Sequence, residues 1–408
     1  PGRVPMLAAA APPARRARTL DDELAEVQAE RGRTSLALAG TVGSRSGEAG
    51  LGRLDTMQAP IEGRRVIEDV GQVVVRATPV VIDAGQASAS ARSRIGTLGL
   101  DTTETLRPGD ASDAGMGLSV GLETGRFAVD IGTTPVGFAV TDVVGGVRYD
   151  DAVSPGLRLT VDASRRAVTD SVLSWAGMVD PRTGRVWGGV RATGVRGQLA
   201  WEHGDSGVYG YGGAHAIQGR QVQDNSRVEL GVGGYWQMTR QPDERLEVGL
   251  NLGYQHHAHN LRGYTWGHGG YFSPQHLVAL TLPVQWVGRS GRLTWGLQGS
   301  AGMQAYREEA APYYPTDPAA QGALDALAAQ QRVPASVYAA RSDTGMTFNL
   351  GGAIEYQLTR QLDIGTRLGF ERAPQFTASS GSVYLRFSLE PRAFGGQGLR
   401  MPAGPATP

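Results

Sequence analysis

The chain has 408 residues, no cysteine, 59 glycines and 39 basic against 39 acidic residues, for zero formal net charge. Every basic residue is Arg, scattered rather than clustered, which gives no electrostatic reason to expect nucleic acid. The absence of cysteine excludes disulfides and thiolate metal sites, and no apolar run approaches the roughly 18 residues of a membrane-spanning helix.

Taken in order, residues 1–19 are rich in Ala, Pro and Arg and read as a linker. The chain opens at Pro1 without Met or a signal segment, as expected of a mature fragment or an expressed domain. Leu20 to Arg31 is the best helix of the first half, with Leu20, Leu24 and Val27 at helical spacing, acids in the first turn and Gly32 as the stop. So short a helix needs something to dock on.

Strand signals run from Thr34. The pattern predicts about sixteen strands, at 34–44, 51–60, 70–82, 114–124, 126–133, 155–163, 165–175, 186–203, 206–217, 225–239, 244–258, 275–288, 292–306, 343–359, 362–371 and 382–390. Asn225 to His257 is the clearest stretch. Val228, Leu230, Val232, Gly234, Trp236 and Met238 alternate with Arg227, Glu229, Gly231, Gly233, Tyr235 and Gln237. After a polar turn, Leu246, Val248, Leu250, Leu252 and Tyr254 alternate with Glu247, Gly249, Asn251, Gly253 and Gln255. Period 2 puts the two sets on opposite faces, and each arm is long enough to cross a bilayer at a tilt. A face carrying both charge and glycine suits a wet lumen.

The connections sort by parity. Tight turns are expected at 124–126, 164, 204–205, 241–243, 289–291 and 360–361, and long loops at 83–113, 134–154, 176–185, 218–224, 259–274, 307–342 and 372–381. Two connections break the rule, 61–69 being long on the short side and 45–50 short on the long side. Short turns at one end and long loops at the other describe a transmembrane antiparallel up-and-down β-barrel, an all-β fold with a short N-terminal helix. A soluble sandwich or propeller would not sort its loops in this way. The expected domains are therefore the linker 1–19, a helix at 20–32, a barrel at 33–390 and a tail at 391–408. An even strand count puts both termini on the short-turn, periplasmic side of an outer membrane.

No catalytic constellation, cofactor motif or metal site is legible. His256, His257, His259 and His268 gather around the 259–274 loop without a carboxylate at ligand spacing, which fits loop packing or solvent exposure. The glycine run around Gly210–Gly213 opens no helix and is no phosphate loop. Trp175, Trp187, Trp201, Tyr209, Tyr211, Trp236, Tyr254, Trp286 and Trp295 lie near strand ends, where most read as an interfacial aromatic girdle. Tyr235, Tyr306 and Tyr384 share phase with the polar face and are expected to look into the lumen. Tyr264, Trp266, Tyr271 and Phe272 either pack a long loop onto the barrel or offer flat apolar faces to a sugar. With Trp187 these residues are the candidate polysaccharide path or exit. The lumen phase carries Arg158, Asp162, Arg191, Arg227, Glu229, Glu247, Glu355, Arg367 and Arg386. Mixed signs fit a neutral hydrated cargo, or charges pairing across the wall.

Several separated motifs carry a family resemblance. They are Thr134-Pro135-Val136-Gly137-Phe138, Val144-Gly145-Gly146-Val147-Arg148-Tyr149, Ser174-Trp175-Ala176-Gly177, Asp180-Pro181, Thr183-Gly184 and Trp187-Gly188-Gly189-Val190. Asn260-Leu261 and Gly267-His268-Gly269-Gly270-Tyr271-Phe272-Ser273-Pro274-Gln275 complete the set. Over roughly residues 35–390 the chain resembles the C-terminal barrel of the cellulose synthase operon protein C family. The resemblance implies a sixteen-stranded outer-membrane pore for a β-1,4-glucan, and a preceding periplasmic tetratricopeptide array of which only Leu20–Arg31 could be the last helix. It also implies as partners the cellulose polymer, outer-membrane lipid or lipopolysaccharide, that array and the inner-membrane cellulose synthase, with no nucleic acid. With no nucleotide site in the chain, the export expected is passive, pushed by synthesis. A general porin, an exporter of another exopolysaccharide and a soluble β-rich binding protein are the competing readings. An inward fold of the 259–274 or 307–342 loop would mean a pore gated from outside.

Overall fold

Alternation of apolar and polar residues does what the period demands: one face of every long strand turns to oil and the other to the inside of a tube. The computed structural model describes residues 34–103 and 105–392. The wall has sixteen strands: β1 Ser35–Arg45, β2 in two segments (Leu54–Gln58 and Ile61–Ile67), β3 Gly71–Asp83, β4 Ser112–Glu123, β5 Phe127–Thr133 and β6 Val143–Ser154. Then come β7 Leu157–Ala167, β8 Val186–His203, β9 Ser206–Arg220, β10 Asn225–Gln241 and β11 Glu244–His257. β12 His276–Ser290, β13 Leu293–Glu308, β14 Arg341–Gln357, β15 Leu362–Ala373 and β16 Phe376–Ser388 complete it.

Each strand pairs antiparallel with its sequence neighbours, and β16 returns to β1 from Ser35↔Ser388 through Arg45↔Ala378. The sheet is a closed antiparallel barrel. Val228, Leu250 and Leu385 are 40%, 42% and 43% exposed on the outside, while Glu229 and Asn251 are each 5% exposed on the inside. Outer leucines and valines removed from water by lipid satisfy the hydrophobic effect. A soluble barrel would bury them, so the soluble reading falls here. β2 is broken at Ala59-Pro60, since proline cannot donate to the ladder, yet β1 pairs with both of its segments.

Four boundaries differ from the sequence reading. Residues 143–154, expected as loop, form β6; its paired glycines and its Asp150-Asp151 interrupt the apolar alternation while the backbone still pairs with β5 and β7. Residues 165–175, expected as a strand after a turn at Ser164, split instead. β7 runs through Ser164 to Ala167, and Val172–Trp175 is a helical turn (α1) with a Ser171/Ser174 capping box. Ser171 accepts from the Ser174 N–H, a local bond that competes with the ladder. One missed strand and one spurious one cancel, which leaves the count at sixteen. The supposed 61–69 loop is the second half of β2, so the turn after it is tight. The connection expected at 372–381 is tight as well, only Pro374 and Gln375 separating β15 from β16. The helix expected at 20–32 and the tail beyond Arg392 lie outside the described residues.

Candidate functional site in the lumen and at its plugged mouth

The inner wall is polar and largely self-paired. On β10 and β8, Glu229 meets Arg196 at 3.3 Å; on β14 and β16, Glu355 accepts from the Tyr384 hydroxyl at 2.7 Å and from Arg386 at 2.8 Å. Arg158 bonds Asp150 at 2.6 Å, Arg191 bonds Asp142, and Arg227 lies 3.3 Å from His215 Nδ1. Glu247 on β11 and Arg367 on β15 sit in the same inward phase, Glu247 buried and Arg367 half-buried. Part-way up, the sector from β11 to β14 is different: Asn251 opposes Thr281 and Ser300 opposes Asn349, so amides and hydroxyls form an uncharged belt there, between Glu247 and Glu355 toward the short turns and Glu308 toward the long loops.

Tyr235 is buried on the inner wall and donates to Glu202 at 2.8 Å; Tyr384 is buried there too. Tyr209 and Tyr211 also point inward, stacked at 6.5 Å, and are not girdle residues. They lie flat over the neighbouring strand, where a Cβ on Gly231 would sit 2.2 Å from the Tyr211 ring. Glycine is needed there for close approach. The girdle is real for Trp201, Trp236 and Trp286, which face outward near the short turns.

The long-loop end is closed. Loops 46–53, 84–111, 168–185, 258–275 and 309–340 share one hydrophobic core containing Leu51, Ile95, Leu173, Trp187, Trp266, Tyr271 and Tyr314. Trp187 is fully buried, its ring centroid 5.8 Å from that of Trp266, and Arg185 caps Trp266 at 4.7 Å. Trp175, also expected in the girdle, is buried beneath the plug against Phe138 at 5.9 Å. Tyr264 joins the plug backbone: Gly96 N–H donates to its carbonyl at 2.9 Å, and Trp266 N–H donates to Gly96 at 3.1 Å.

That last pair decides the geometry. The 84–111 loop leaves between β3 and β4, and the 258–275 loop between β11 and β12, half the circumference away. A sixteen-strand barrel is about 30 Å across, so the two loops must meet over the lumen. Arg45 on β1 likewise reaches the Asp170 carbonyl, and the Asp170 carboxylate accepts the Phe272 N–H at 3.1 Å. Phe272 descends below the rim onto Leu277, Ala279 and Tyr306 of the inner wall, edge-on to Tyr306 at 5.1 Å. Tyr271 accepts from Asn225 Nδ2 at 3.0 Å. The loop aromatics are packing residues in this state, and the plug fills the mouth.

Polar knots hold the loops to one another. Asp180, fully buried, accepts from Thr97 N at 2.8 Å, Thr97 Oγ1 at 2.7 Å, Thr183 N at 3.1 Å and Thr183 Oγ1 at 2.5 Å. Gly96 approaches it so closely, at φ +50°, that a Cβ there would stand 2.3 Å from Asp180 Oδ1. Thr265 Oγ1 donates to the Tyr313 carbonyl at 2.5 Å, and His268 Nε2 donates to Pro312 O at 2.9 Å. Burial lowers the His268 imidazole to about 4 and raises the Tyr338 phenol, edge-on at 4.9 Å, to about 12. Tyr313, Tyr314 and Tyr338 were not singled out in the sequence; a cluster of tyrosines in an otherwise polar loop was the available signal. Among the described residues no group of His, Asp and Glu is placed to hold a metal ion.

Residues 52–390 match the family model for the C-terminus of cellulose synthase operon protein C. The chain belongs to this family. A cellulose synthase operon protein C from Xanthomonas axonopodis pv. citri is 41% identical over 287 residues, covering 68% of this chain and 19% of the relative. The namesake from Pseudomonas fluorescens is 36% identical over 365 residues, covering 88% and 27% respectively. The chain thus spans about a fifth to a quarter of the length of these relatives. A solved structure described as a bacterial polysaccharide outer membrane secretin shares the fold at TM-score 0.52 and 12% identity, covering 88% of this chain and 99% of its own.

Proposed function

We propose that this chain is the outer-membrane conduit through which cellulose, a β-1,4-glucan, leaves the periplasm, passively and without catalysis. What supports the reading most is a family-typed barrel whose inner wall pairs most of its charges and offers a belt of amides and hydroxyls to a polyol. The short-turn end, with both described ends of the chain, faces the periplasm, and the long loops face outside. In that orientation the plug is an external gate that a glucan pushed from inside must part. Trp187, Tyr264, Trp266, Tyr271, Phe272 and Tyr306 form the gate and the lip beneath it, exposing aromatic faces to sugar rings once it opens. Tyr235, Tyr384, Arg191, Arg227, Glu229, Glu247, Glu355, Arg367 and Arg386 form the wetted wall below. Coupling to a periplasmic tetratricopeptide region and an inner-membrane synthase would supply the polymer. The closed mouth weighs against an open general porin.

The test is single-channel recording of the Trp266→Ala/Tyr271→Ala protein beside the parent. An opened gate should raise basal conductance, and cello-oligosaccharides should block the opened channel more strongly than α-linked glucans of equal length. Equal block by both linkages would remove the β-1,4 assignment. Free passage of small sugars through the parent would restore the porin.

A further inference from the structure

In one sector of the outer wall the apolar band ends in a cluster of histidine and arginine. At the long-loop end of β11, β12 and β13 the outward residues are Tyr254, His256, His276 and Arg307. His276 and Arg307 are directly opposed cross-strand partners, both exposed, and Arg307 makes no ion pair with any described residue. The His256 and His276 rings are 5.6 Å apart. Tyr254 Oη lies 3.0 Å from His276 Nδ1, a contact that occupies that nitrogen and leaves Nε2 free for another partner. His256 Nδ1 donates to the Gln275 carbonyl, which fixes that ring beside the pair. No outward position in this half of the three strands carries a carboxylate. Below Arg307, the outward residues of β13 are Ala305, Met303, Ala301 and Gly299. Ala301 lies between Leu282 on β12 and Phe348 on β14, and Gly299 between Val284 and Leu350, so β13 dips to a shallow furrow there, with the exposed Met303 side chain standing between the furrow and Ala305.

We propose that this rim and furrow bind a membrane lipid with a phosphorylated headgroup, the phosphate on Arg307 and His276 and an acyl chain along β13. An unpaired guanidinium beside an imidazole, at the level where apolar wall gives way to water, matches a lipid phosphate in charge and in depth. The furrow below distinguishes a lipid from a soluble anion. The site itself rests on the outer wall alone; only the leaflet supplying the lipid, the outer one, depends on the orientation proposed above.

The test folds the full chain in neutral detergent and reads retained lipid by native mass spectrometry. Bis-phosphorylated lipid A is the probe and its dephosphorylated form the control. The parent should hold lipid A, and Arg307→Gln/His276→Gln should hold it about tenfold or more weakly, as loss of a charged hydrogen bond requires. A second variant, Ala301→Trp, keeps both headgroup residues and fills the furrow; it should lose the lipid too while keeping the heat-modifiable gel mobility of a folded barrel. Equal retention by parent and both variants, or retention indifferent to dephosphorylation, overturns the site. Displacement of lipid A by an equal concentration of inorganic phosphate overturns the lipid as occupant. Failure of the conductance tests above would leave this binding result standing, which separates the two proposals.

Discussion

Replacing Asp180 by Ala should open the channel at rest without unfolding the barrel. The side chain lies in the 168–185 loop, away from the wall, and its two oxygens take four hydrogen bonds from Thr97 and Thr183. Alanine leaves the Thr97 and Thr183 backbone N–H groups without that acceptor in a place where Asp180 was fully buried. The threonine hydroxyls can rotate toward new partners, so the cost falls mainly on the two amides. At about 1–3 kcal/mol for each orphaned donor, the plugged state loses roughly 2–6 kcal/mol relative to an unplugged one. Tenfold per 1.4 kcal/mol converts the lower figure to a population shift of about thirtyfold, and the upper to roughly twenty-thousandfold. Planar-bilayer recording reads the shift as open probability, and gel mobility before and after boiling reports whether the barrel has folded. A folded Asp180→Ala barrel with the parent's resting conductance would refute the claim that this knot holds the plug.

Acid should loosen the same plug. The buried His268 titrates near 4 instead of its ordinary 6.5, so an unplugged state binds the proton more readily. The neutral ring's contribution to closure is fully present above about 6.5, declines as pH falls and is exhausted below about 4, a difference on the order of 3 kcal/mol. Open probability should rise across that window, and His268→Gln should flatten the rise; an equally steep profile in the variant would remove the histidine from the mechanism. On the wall, Leu250→Arg puts a charge into lipid and should cost about 2–4 kcal/mol of folding into vesicles near the midplane. Asn251→Arg, one residue on, turns its charge to the lumen and should fold with far smaller loss; urea titrations of the two variants giving the same loss would contradict the assigned faces. Gly231→Val drives a side chain into the Tyr211 ring and should destabilise the barrel by about 1–3 kcal/mol, a loss that Tyr211→Ala relieves in the double variant. Additive losses in that cycle would deny the contact.

The hairpin of β10 and β11 could be read from its residues because one period controls both faces for more than ten positions, and the observed faces follow it residue by residue. β6 escaped because Gly145-Gly146 and Asp150-Asp151 spoil the alternation, although Val143, Val147 and Val153 still face outward. Pairing with two neighbours stabilises a strand whose own pattern is weak. The plug was legible only in outline. Aromatic residues in the 259–274 loop predicted packing, but nothing local says that Thr97 will meet Asp180 across 83 positions, or that Trp266 will lie on Trp187. Such knots are set by which loops the closed wall brings together. Trp175 and Trp187 were assigned to the membrane rim for the same reason: their sequence position near strand ends is shared by residues that leave the wall altogether.

Barrel closure has one more consequence. The first and last strands are zipped along all eleven residues of β1, in surroundings where water cannot take over a broken backbone bond. A long chain threading the tube therefore has no sideways escape into the bilayer, and whatever enters at the bottom can only be handed out through the top.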